Sequence, residues 1–153
     1  MYSRQLANVV ENFFINDDWR YKFDQEKGVF TVGVNLKCKL KECKIYVEIG
    51  EEFIRAVATI NVSADEENLA AVAEYITRAN YGLNHGNFEL DFRDGEVRYK
   101  LSVNCKGGAV PTAEVVKDTV IIPALMLDRY GDGLLAVLFG FATPADAIKK
   151  AEE

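Results

Sequence analysis

The 153-residue chain is predicted to adopt an α+β fold, an antiparallel β-sheet with helices packed on one face, and three observations predict it. Apolar residues switch between a spacing of three to four and a spacing of two, consecutive strands are joined by tight turns, and the elements run α-β-β-β-β-α-β-β-α-α. Asn87–Val103, NFELDFRDGEVRYKLSV, is the clearest segment. A two-residue type I′ turn at Asp94 and Gly95 would set Arg93 opposite Glu96, Phe92 opposite Val97, Leu90 opposite Tyr99 and Phe88 opposite Leu101. One face of that hairpin is apolar throughout and needs a covering layer.

The first helix is expected over Met1 to Phe14, where Leu6, Val9, Val10, Phe13 and Phe14 form a stripe and Asn16 and Asp17 end it. From Arg20 the period becomes two. Tyr21 and Phe23 pair across Lys27 and Gly28 with Phe30, Val32, Val34 and Leu36 as a first hairpin. A second hairpin turns at Glu51 and Glu52 and places Ile49 against Ile54, Val47 against Ala56 and Ile45 against Ala58. Ser63 and Glu66 have capping-box spacing and are expected to open a helix whose buried stripe is Leu69, Val72, Ala73, Ile76 and Leu83, closed by Gly82 or Gly86. After Gly107 and Gly108, Thr112 caps a long helical region. Pro123, Gly131 and Gly133 are expected to kink it or break it into two pieces. Thr143, Pro144 and Asp146 start a short last helix.

Composition bounds the function classes. The chain is the size of one domain, and its 49% hydrophobic and 27% charged residues are close to the globular average. No apolar run reaches the ~20 residues of a bilayer crossing, and MYSRQLANVVENFF lacks a signal-peptide core, so no membrane association and a cytoplasmic setting are expected. The net charge of -6 disfavours nucleic-acid binding. Lys37, Lys39, Lys41 and Lys44 form a local basic cluster that reads either as a patch or as a solvated hairpin tip.

Chemistry has few carriers. His85 is the sole histidine, placed near the end of the second helix where a cation complements the dipole, so a triad would have to be built around it. Cys38 and Cys43, separated by four residues, would need Cys105 and His85 to make a Cys3His metal or thiol site; packed thiols are the competing reading. Three cysteines cannot all pair, and no acid pair or phosphate loop stands out. No catalytic residue, cofactor or metal is therefore assigned, and a small-molecule sensor is a further alternative. The strongest functional signal is LLAVLFGF, Leu134 to Phe141, apolar at every position. As a helix it would have no polar face. Core burial, a second protomer or a groove for another protein would have to cover Leu134, Leu135, Leu138, Phe139 and Phe141.

EYITRANYGLNHG running into NFELDFRDGEVRYKLSV, followed by DRYGDGLLAVLFGFATPADAIKKAE, resembles the YbjN family of bacterial sensory-transduction regulators over roughly residues 60 to 150. The resemblance implies a fold like that of type III secretion chaperones, with protein binding and homodimers. It supplies no catalytic residue to carry across. The expectation is a non-enzymatic protein that binds another protein or itself through hydrophobic surface on its sheet or its C-terminal helices.

Overall fold

A computed structural model describes all 153 residues. Its sheet is built from β1 (Lys22–Asp24), β2 (Val29–Asn35), β3 (Glu42–Ile49), β4 (Phe53–Ser63), β5 (Asn87–Leu90) and β6 (Glu96–Asn104). The six strands are antiparallel in the order β1-β2-β3-β4-β6-β5. Helices α1 (Arg4–Asn16), α2 (Leu69–Asn80), α3 (Ala113–Leu138) and α4 (Pro144–Ala151) form the second layer. The element order is the expected one.

Period-two alternation decides which face is covered. Phe30, Ile45, Val47, Ala56, Ala58 and Tyr99 point inward and are fully buried, while Glu48, Arg55, Glu89, Arg98 and Lys100 project from the other face and pair with one another. Helix α3 packs on β3, β4 and β6, α2 packs on β5, and α4 lies across α2 and α3. Phe14 of α1 meets Phe30 and Tyr21, which closes the β1–β2 end. The apolar side of the sheet is thus sealed, and the expected hydrophobic sheet surface is not available; the exposed face is polar.

Several local expectations hold. Ser3 accepts from Leu6 N to start α1, Thr112 accepts from Val115 N to start α3, and Thr143 caps α4 with Pro144 in its first turn. The β3–β4 register pairs Ile49 with Ile54, Val47 with Ala56 and Ile45 with Ala58, as expected.

Others are corrected. The β5–β6 hairpin pairs Phe88 with Tyr99 and Leu90 with Val97, two residues out of the expected register. Instead of a two-residue turn, Asp91 to Gly95 form a longer one, with Asp91 N donating to Glu96 O and Gly95 N to Asp91 O. The cause is tertiary: Gly95, at φ 76°, accepts from Ala64 N so closely that a Cβ would sit 1.8 Å from Ala64 O. A two-residue shift preserves the faces, so Phe88, Val97, Tyr99 and Leu101 remain buried, but Phe92 is left exposed. Ser63 does not cap α2. It ends β4 opposite Glu96, and the reciprocal bonds are made two residues later, Asn68 N to Asp65 Oδ1 and Asp65 N to Asn68 Oδ1. In α2 the buried stripe is Val72, Tyr75, Ile76 and Ala79, while Leu69, Ala73 and Leu83 are half-buried. The helix ends at Asn80, five residues before His85, which is exposed in the following loop.

Helix α3 is one 26-residue element, not two pieces. Pro123 removes one backbone donor, but its ring is buried in the same stripe as Val120, Ala124 and Leu127. The glycines are contact points. A Cβ on Gly131 would meet Leu40 at 2.6 Å and Cys38 Sγ at 2.7 Å, and one on Gly133 would meet Tyr75 Oη at 2.2 Å. Through this close approach the Tyr75 hydroxyl donates to Tyr130 O at 2.7 Å, deep in the core. Packing over the full length of the helix outweighs the ~1 kcal/mol that each glycine loses relative to alanine.

Candidate functional site

The end of α3 decides how much of Leu134–Phe141 is covered. Leu134 and Val137 are 2% and 3% exposed and belong to the core. Leu135 and Leu138 are half-buried. The helix then stops: Gly140 takes φ 73°, Phe141 N donates to Ala136 O at 2.8 Å and Gly140 N to Val137 O at 3.2 Å, the Schellman pattern. The carbonyl of Leu138 is taken by Asn68 Nδ2 at 3.0 Å. Phe139 and Phe141 leave the helix 67% and 85% exposed, their rings 6.5 Å apart. The expectation of a helix covered all round is therefore corrected: it ends at Leu138, Leu134 is core, and the two phenylalanines stand uncovered at the corner between α3 and α4.

Beside this corner a groove of about 520 Å³ runs between α3 and α4. Gly133, Ala136, Ala147 and Phe141 give it an apolar side, and its charged lining is Lys39, Arg129 and Lys150 with Asp132 and Asp146. Lys39 reaches it because α3 holds the β2–β3 connection by its backbone. Asp128 accepts from Cys38 N and Asp132 from Lys39 N, both at 2.8 Å. These two carboxylates, one helical turn apart, were not singled out in the sequence; their i,i+4 spacing is the signal that marks one face of α3.

The thiols are not brought together as a four-residue site. Cys38 and Cys43 lie at the β2–β3 connection, whereas Cys105 follows β6 at the opposite end of the sheet, where its N–H donates to Glu52 O. No three His, Cys, Asp or Glu side chains converge as a metal ion would require. Burial pushes the Cys43 thiol up to about 12, aided by the Asp128 carboxylate, and raises Cys38 as well. Both are packed groups poorly suited to thiolate chemistry. The imidazole of His85 is exposed, and its backbone carbonyl accepts from the buried Tyr99 hydroxyl. No helix is long and apolar enough to cross a membrane.

These features define a class: a two-layer α+β protein with a sealed core, a polar open sheet face and an exposed aromatic pair at the α3–α4 corner. Within that class the chain belongs to the YbjN family, whose model, described as "Putative bacterial sensory transduction regulator", matches residues 6–136. The match takes in nearly all of α1, the first four strands and the first two of the three motifs that carried the resemblance, but the third only as far as Ala136, so that Phe139, Phe141 and α4 lie beyond it. No curated protein matches the chain.

Proposed function

We propose that this protein is a non-enzymatic, cytoplasmic regulator that acts by binding protein, another chain or its own, in the manner of a chaperone-like scaffold. The observation that carries the reading is the Phe139–Phe141 corner. Two large aromatic side chains are 67% and 85% exposed beside the half-buried Leu135 and Leu138 in a chain that buries 34 other hydrophobic residues in one cluster. Placing such rings in water costs free energy that covering them returns, about 25 cal/mol for each Å². Membership in a family of sensory-transduction regulators supports a signalling role without supplying a catalytic group.

Capture from the native cell tests the reading, with wild type compared against Phe139→Ser/Phe141→Ser. Specific partners, or a second copy, are expected with wild type and lost with the variant at unchanged thermal stability. An identical set of bound proteins and an identical mass for both would contradict it.

A further inference from the structure

The aromatic corner lies between two surfaces of opposite charge. Phe92, 66% exposed, stands at the tip of the β5–β6 hairpin with Asp91, Asp94 and Glu96 around it. The bond from Ala64 N to Gly95 O brings Asp65, Glu66 and Glu67 to the same end. Arg93 is the one cation in these two loops, and it is held by Asp91. The tip is therefore an aromatic knob in a strongly negative setting.

The groove between α3 and α4 is its complement. It offers Ala136, Ala147 and the Phe141 ring as an apolar seat and Lys39, Arg129 and Lys150 as a positive rim. None of these three cations is in an ion pair; all five ion pairs of the protein lie elsewhere. Two carboxylates, Asp132 and Asp146, line the groove as well and leave it a net excess of one positive charge; Asp132 accepts from Lys39 N and Asp146 sits in the first turn of α4, where the helix dipole favours it. At about 520 Å³ the groove is within the range that encloses a ligand-sized group and is roomy enough for a phenylalanine side chain.

We propose that the groove receives the Phe92 tip of a second copy of this chain, and that a two-fold axis lets each copy give its tip to the other. The proposal rests on the α3–α4 corner being a binding surface and names its occupant. Two chains of net charge -6 repel overall, so their association needs a local contact of opposite sign, and the acidic tip and the basic rim provide one. Phe92 fills the apolar seat against Phe141, and its flanking carboxylates meet Lys39, Arg129 and Lys150. Two equivalent contacts close the assembly at two chains.

Sedimentation of wild type, Phe92→Ser and Lys39→Glu/Lys150→Glu at low and high salt tests this. Wild type is expected to run as two chains at low salt and to dissociate as salt screens the contact. Each variant is expected to run as one chain with unchanged thermal unfolding, since the altered residues are exposed. An equimolar mixture of the two variants is expected to recover a two-chain species, because an intact tip then meets an intact groove. A single-chain wild type, or a two-chain species that both variants retain, would overturn the proposal. If Phe139→Ser/Phe141→Ser alone abolishes binding, the tip-in-groove contact is wrong and the corner remains a binding surface. If none of the variants changes binding, both readings fall.

Discussion

Two neighbouring pieces of one apolar run end in opposite environments. Leu134 and Val137 are sealed in the core, and Phe139 and Phe141, one and three residues past the helix end, stand in solvent. Hydrophobicity does not separate them; backbone termination does. While the helix continues, its rotation carries every third or fourth residue back to the core, and once Gly140 turns left-handed that return stops. The first piece holds the fold together, and the second is left uncovered.

The contrast can be broken from either side. Truncating Leu134→Ala should have the largest effect, a loss of roughly 2–5 kcal/mol in urea unfolding, because the side chain is almost wholly buried and leaves a cavity. Next comes Gly133→Val, expected to cost about 1–3 kcal/mol, since its Cβ falls 2.2 Å from Tyr75 Oη and forces the ring off Tyr130. A smaller loss, near 1 kcal/mol, is expected for Tyr75→Phe, which removes the donor to Tyr130 O while keeping the ring in place. Smallest on stability is Phe139→Ser/Phe141→Ser, within about 0.5 kcal/mol of wild type. A large destabilisation there would mean the corner is structural after all.

The same contrast explains what the sequence discloses. Strand pairing in β3–β4 is legible because apolar alternation and a short turn agree. In β5–β6 alternation reports the faces correctly but cannot report the register, since a two-residue shift leaves every face unchanged and the deciding contact is with Ala64, distant in sequence. Glycine within α3 reads locally as weakness, yet Gly131 and Gly133 are where Cys38 and Tyr75 come close, a fact held by other elements. Of the expected corner residues, Leu134 proves to be core while Phe139 and Phe141 are exposed; the difference was written in Gly140, a left-handed helix stop. Of the groove only Lys39 was legible, as a member of the basic cluster at the β2–β3 connection; that Arg129 of α3 and Lys150 of α4 join it was not, because the three come from separate elements.

The central claim is that binding occurs at the aromatic corner and not on the open face of the sheet. Photocrosslinking in living cells addresses it directly, with a photoreactive phenylalanine analogue in place of Phe139 in one strain and of the partly exposed Tyr46, on the open sheet face, in another. Adducts of defined mass are predicted from position 139 and none from position 46. Adducts from position 46 alone, or from neither position, would contradict it.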